Sequence, residues 1–201
     1  MAESVPLRFL VRKRTTFTWL VPVALLVATY FCGRWNPVAY AIGFLLLVLG
    51  EIVRFWAAGY IRKDDAIATG GPYAMVRNPL YFGSLLLAAG FTAMSGIGIA
   101  AWIVVMALFL TFHLAAITSE ERFLKTKFGE AYERYLRQVP RLIPLPRFRP
   151  REAEPDNGSG GFSMRQAIYN REHTTATVTL ITALIFLVVL EIAAHHGRVG
   201  F

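Results

Sequence analysis

Five runs of apolar side chains, at residues 15–32, 37–60, 80–95, 97–117 and 174–194, constrain this chain more than any other feature. A run of roughly 20 such residues matches a ~30 Å hydrocarbon core at a rise of about 1.5 Å per residue. None has the alternating period of a barrel strand, so each must satisfy its backbone hydrogen bonds internally, as a helix. The expected fold is all-α: a polytopic transmembrane helical bundle with a four-helix core and an appended fifth, C-terminal span. Composition agrees, since 55% hydrophobic and 17% charged residues leave too little polar surface for a soluble globule of 201 residues. The third run is short, which predicts tilt or a shifted boundary. The first lacks a small-x-small cleavage site and continues through Phe31-Cys32-Gly33-Arg34 toward the second, so it reads as a retained span rather than a signal peptide.

A net charge of +8 invites a nucleic-acid partner, but the placement of Lys and Arg has a simpler cause. The basic residues alternate with the spans. An N-terminus in the cytoplasm puts Arg8, Arg12, Lys13, Arg14, Arg62, Lys63, Arg77 and the basic stretch from Arg122 to Arg171 inside, with Arg34 and Arg198 outside. The predicted topology is N-terminus in and C-terminus out, with a basic cytoplasmic face suited to anionic headgroups and no need of nucleic acid. The lone Cys32 excludes an intramolecular disulfide, and no Cys/His spacing resembles a metal site.

The domain plan that follows is a basic cytoplasmic segment (1–14), a membrane core (15–150), a polar linker (151–163) and an appended transmembrane helix (164–201). Residues 33–36 and the Ser95-Gly96 region are tight outer turns, whereas the inner connections are longer and polar. From Ser119 to Gln138, Phe123, Leu124, Phe128, Tyr132, Tyr135 and Leu136 recur at near-helical spacing among charges, as in an interfacial amphipathic helix interrupted near Gly129. No internal repeat supports a duplicated transporter. The entrance to the last span, Asn170-Arg171-Glu172-His173, reads as a charged interfacial anchor.

Polar residues in or beside spans are expensive, so chemistry is sought there first. Glu51 and Arg54 share a face of the second helix and can pair, either as a snorkelling arginine with its structural partner or as a substrate contact. His113 and Glu120 share a face of the fourth, with Glu121 beside them; either a satisfied histidine and a solvated acidic pair, or a polar site at one membrane depth. In Gly70-Gly71-Pro72-Tyr73-Ala74-Met75-Val76-Arg77-Asn78-Pro79-Leu80-Tyr81-Phe82-Gly83-Ser84, glycines permit close backbone approach and Pro79 suits a helix start whose free N–H groups favour an anion. A bland interfacial turn would use the same residues.

The run Gly71-Pro72-Tyr73 through Arg77-Asn78-Pro79-Leu80-Tyr81-Phe82-Gly83, followed by Glu120-Glu121, Phe128-Gly129-Glu130, Tyr132, Tyr135 and Val139-Pro140-Arg141-Leu142-Ile143-Pro144, resembles the isoprenylcysteine carboxyl methyltransferase and phospholipid methyltransferase family. The resemblance covers roughly residues 50–146. It implies an integral membrane enzyme that transfers methyl groups from S-adenosylmethionine to a lipophilic acceptor, with the cofactor at the cytoplasmic helix ends. The matching cofactor positions are Gly71, Tyr73, Arg77, Asn78, Pro79, Tyr81, Gly83, Glu120 and Glu121. Tyr132, Tyr135 and Arg141, with Glu51 and Arg54, are the candidates for lid or substrate contacts.

Such a ligand presents a sulfonium, an amine, a carboxylate, a ribose diol and an adenine. Its site needs carboxylates, a cationic donor and aromatic surface, which Glu120/Glu121, Arg77 and the tyrosines supply. Catalytic roles fall to Arg77, Glu120 and His113, the last two as bases for an amine acceptor; a carboxylate acceptor needs none. Two departures bear on the acceptor. Asn78 stands where isoprenylcysteine enzymes usually carry His, and Ala116 where they carry Arg, so the sequence is closer to the phospholipid-methylating branch. The rivals are an NADPH-dependent membrane reductase of related helical arrangement and a non-enzymatic lipid-binding scaffold.

Overall fold

The computed structural model describes residues 20–61, 67–144, 161–170 and 172–195; the basic segment 1–14 and most of the linker lie outside them. Every regular element among the described residues is a helix: α1 Leu20–Cys32, α2 Pro37–Ala58, α3 Pro72–Met75, α4 Pro79–Ser95, α5 Ile99–Phe128, α6 Glu130–Gln138, α7 Met164–Tyr169 and α8 Glu172–His195. Three are long and apolar enough to cross a membrane: α2, α5 and residues Glu172–Ala193 of α8. The other two apolar runs form shorter helices, α1 and α4. At 17 residues, α4 measures about 26 Å.

Helix starts follow the local chemistry. Asn36 caps α2, its Oδ1 accepting from the backbone N–H groups of Val38 and Ala39 at 3.0 Å each, with Pro37 in the first turn. The fourth apolar run was expected to end at residue 117, with a separate amphipathic helix beyond it. Instead α5 runs unbroken for 30 residues, about 45 Å. No Gly or Pro intervenes, and the Thr118 hydroxyl donates back to the Leu114 carbonyl at 2.7 Å, so it does not compete with the helix. Glu120 and Glu121 therefore lie within a regular helix, not at its end. The break comes at Gly129, whose φ of 55° suits glycine and opens α6.

The described residues fall into two compact units. The first draws on Met1–Leu49, Leu85–Ser119 and Thr177–Phe201. Its core joins Leu25, Leu47, Phe91, Met94, Val105, Ala183 and Phe186. The predicted tight turns meet here: Arg34 N–H donates to the Gly96 carbonyl at 3.1 Å, and the buried Thr29 hydroxyl reaches the Ser95 carbonyl at 3.3 Å. Helix α8 is built into this core, with Phe186 fully buried and stacked on Phe91 at 5.4 Å and the Tyr40 hydroxyl donating to the Ala183 carbonyl. Phe186→Ala should therefore cost about 3 kcal/mol, read as a lowered unfolding midpoint in detergent.

The second unit comprises Gly50–Ser84 and Glu120–Ala176. Its apolar centre is Tyr132, Tyr135 and Val139 on one face of α6, packed with Ile67, Leu124, Phe128 and Leu136. The charged face of α6 stays outward, as the amphipathic spacing requires. Lys125 and Glu133 pair at 2.8 Å across the Gly129 break, and this attraction holds the exposed Glu133 carboxyl below its usual range.

Candidate functional site

The turn between α3 and α4 is the frame of the site. Gly71 precedes α3 with φ 55°, and a Cβ there would come within 2.5 Å of the Tyr60 ring. Glycine is required on both counts, conformation and space. Beyond α3 the chain extends through Val76, Arg77 and Asn78 into α4, which begins at the buried Pro79. Two hydrogen bonds tie this turn to α6 and the residues just beyond it. Arg77 N–H donates to the Pro140 carbonyl at 2.8 Å, and the Tyr135 hydroxyl donates to the Tyr73 carbonyl at 2.7 Å.

Glu121 sits at the centre. Its carboxylate receives Arg77 Nη1 at 3.4 Å, Asn78 Nδ2 at 3.3 Å and Arg141 Nη2 at 3.0 Å. Asn78 Nδ2 also donates to the Arg141 carbonyl at 2.8 Å. Its two amide hydrogens thus bridge two segments from one atom, an arrangement that the oppositely directed nitrogens of histidine do not reproduce. With side chains only 14–15% exposed, Glu121 and Arg77 are shielded enough for this pairing to organise the turn.

Glu120, the next residue, has a different environment. It is exposed, and its Oε2 accepts from the Tyr81 hydroxyl at 3.1 Å. The two adjacent carboxylates are thus separated into one saturated by three donors and one facing outward. Tyr132 is close enough to feel both charges. Burial, then the charge of Glu121, pushes its phenol up to about 12, with Arg77 opposing. Tyr135 and Tyr73 are raised further, chiefly by burial.

A raised phenol contributes stability that is fully present below the unfolded pKa near 10 and is lost as pH rises through the folded value. Stability should accordingly fall between about pH 10 and 12. Ultraviolet titration should show Tyr132 ionising only in that window or with unfolding; tyrosinate from Tyr132 in the folded protein at pH 10 would contradict the packing.

The remaining predicted residues distribute as follows. Gly83 faces α2, where a Cβ would meet Arg54 Cγ at 2.5 Å and the Gly50 carbonyl at 2.8 Å, so its absent side chain serves close helix packing. Arg54 binds the Glu172 carboxylate through Nη2 at 3.0 and 3.2 Å, and Ser84 Oγ through Nη1 at 2.6 Å. Glu51 lies one helical turn before it on α2. His113 belongs to the first unit, buried and stacked on Phe109 at 3.8 Å; Nδ1 lies 3.0 Å from the Phe109 carbonyl, which can only accept, so that nitrogen carries the proton.

Sequence reasoning missed Tyr60, which covers Gly71, and the partner of Glu172, whose side chain is 9% exposed and ion-paired to Arg54. The polarity of residues 170–173 was the available signal for Glu172. No local pattern marks Tyr60.

The phospholipid methyltransferase family model matches residues 38–131. The cobalt-zinc-cadmium resistance protein CzcN of Cupriavidus metallidurans is 35% identical over 145 residues, 68% of this chain and 66% of its own length. The nickel-cobalt-cadmium resistance protein NccN of Alcaligenes xylosoxydans xylosoxydans is 32% identical over 153 residues, 72% and 71% respectively. Protein-S-isoprenylcysteine O-methyltransferase of Schizosaccharomyces pombe is 37% identical over 83 residues, 41% of this chain and 35% of its own. No solved structure matches the chain significantly. Among the described residues no three His, Cys, Asp or Glu side chains are grouped to hold a metal ion.

Proposed function

The chain belongs to the isoprenylcysteine carboxyl methyltransferase and phospholipid methyltransferase family of integral membrane methyltransferases, and on that premise we propose that it transfers a methyl group from S-adenosylmethionine to a lipophilic acceptor at the cytoplasmic membrane face. The observation that carries the reading is the division of labour in the acidic pair. Glu121 fixes the Arg77-Asn78 turn, and Glu120 beside it faces outward with Tyr81 orienting it.

These residues suit the cofactor. Arg77 Nε is buried and has no hydrogen-bond acceptor among the described residues, as expected of a guanidinium edge meant for a ligand carboxylate. Glu120 offers a carboxylate to an amine or a sulfonium. Gly71 gives the turn its left-handed conformation beneath Tyr60, and Tyr73 and Tyr132, buried and held neutral, pack behind the turn without adding charge. Gly83 is assigned to packing alone.

When bound, S-adenosylmethionine supplies an electrophilic methyl group on a sulfonium. The protein's own contribution is placement, because alignment and exclusion of water provide most of the acceleration in a displacement that disperses charge. Glu121, Asn78 and Arg141 hold Arg77 and the turn. Glu120 is the base for an amine acceptor, since its carboxylate is exposed whereas His113 is buried against Phe109. Both nearby arginines are bound to Glu121, and the remaining edge of Arg77 is assigned to the cofactor carboxylate, so neither is left for a carboxylate acceptor.

The test is incubation of purified protein in nanodiscs with radiolabelled-methyl S-adenosylmethionine and native membrane extract. Label in lipid is expected, base-stable for an amine and base-labile for a carboxyl ester. Consumption of NADPH without methyl transfer would replace this reading with the reductase, and neither activity would leave the scaffold.

A further inference from the structure

Helix α2 carries no basic residue in its last turn, yet its terminal carbonyls are satisfied by a segment that follows it by a hundred residues. Ser163 N–H donates to the Gly59 carbonyl at 3.0 Å, and Asn170 Nδ2 donates to the carbonyls of Ala58 at 2.8 Å and Ile61 at 3.3 Å. The Phe162 ring lies against Gly59 so closely that a Cβ there would overlap it. The same ring sits 6.3 Å from Phe55 and 6.2 Å from Tyr60. Glu172 completes the grip through Arg54. Phe162, Ser163, Asn170 and Glu172 all lie beyond residue 131, where the match to the family model ends.

The contact does not stop at α2. Tyr60, touched by Phe162, is the ring that covers Gly71, at the head of the turn carrying Tyr73 and Arg77. We propose that residues 162–170, together with Glu172, form a clamp whose function is to fix the end of α2, so that Tyr60 holds the Gly71–Arg77 turn in its ligand-ready form. Phe162, Asn170 and Tyr60 are positioning residues, acting through the turn. The inference rests on the assignment of that turn to S-adenosylmethionine, but its structural half can be read without any ligand.

Three amides report on the turn: Tyr73 N–H bonds to the Gly70 carbonyl, Ala74 N–H to Gly71 and Val76 N–H to Pro72. Hydrogen exchange of the full chain in nanodiscs should show these amides about tenfold faster in Phe162→Ala, in the milder Asn170→Ala and in Tyr60→Ala. Phe162→Ala and Tyr60→Ala combined should give no more than either alone, because both break one chain of contacts. Phe186→Ala, a core substitution in the other unit, should leave them unchanged. S-Adenosylmethionine affinity should fall about tenfold in the clamp variants, with KM rising and kcat nearly constant.

Unchanged exchange in both Phe162→Ala and Asn170→Ala overturns the clamp. Equal acceleration in Phe186→Ala also overturns it, since the effect would then be global stability. Accelerated exchange confined to the clamp variants, in a protein that binds no S-adenosylmethionine even as wild type, upholds the clamp and rejects the cofactor assignment.

Discussion

Glu121→Gln is expected to destabilise the protein by about 2–3 kcal/mol and to abolish organisation of the Arg77 turn, although the replacement has almost the same shape. The carboxylate accepts from Arg77, Asn78 and Arg141, and an amide has one oxygen to offer them. Its NH2 group would face a guanidinium, donor against donor. Arg77, 15% exposed, would lose its counter-charge, whereas Arg141 at 38% can turn to solvent, so the larger share of the loss arises at Arg77. Chemical unfolding in detergent reads the effect. A midpoint within about 0.5 kcal/mol of wild type would mean that Glu121 does not organise this region.

Glu120→Gln should do the opposite. Its carboxylate is exposed and accepts from one phenol, a bond that glutamine can preserve, so stability should stay within about 0.5 kcal/mol of wild type. Affinity for S-adenosylmethionine should nonetheless fall roughly 10- to 100-fold, because a charged partner for a cationic ligand is removed. Equilibrium binding measured beside the unfolding curve separates the two glutamates. Equal effects of both substitutions on stability would remove the distinction on which the site rests.

Much of this was legible in the sequence because it follows from length and period. Apolar runs announced the helices, Pro37 and Pro79 marked helix starts, and Gly129 marked the break before α6. The spacing of Tyr132 and Tyr135 put them on the buried face of α6, as observed. The candidate residues Arg77, Asn78, Glu120 and Glu121, which the structure brings together, were recognisable as a group through the order of their motifs.

What stayed hidden depends on contacts between distant segments. Nothing in Glu120-Glu121 says which carboxylate will be saturated, since that is decided by where Arg141 returns after α6. Arg54 has an acid nearby in sequence at Glu51, and the Glu172 carboxylate that it binds stands 118 positions away. The last span was expected to be an appendage because a polar linker precedes it; Phe186 in the core and Glu172 on Arg54 make it structural. Continuity of α5 past Thr118-Ser119 is not legible because polar residues at a membrane boundary suit a helix end and a continuing helix equally.

If the turn around Arg77 and the acidic pair of α5 together hold S-adenosylmethionine, photochemical crosslinking of the radiolabelled cofactor to the nanodisc-embedded protein should place label in peptides covering residues 70–83 or 118–141, displaced by excess unlabelled cofactor. Competable label confined to other peptides, or none displaced by the cofactor in folded protein, would contradict it.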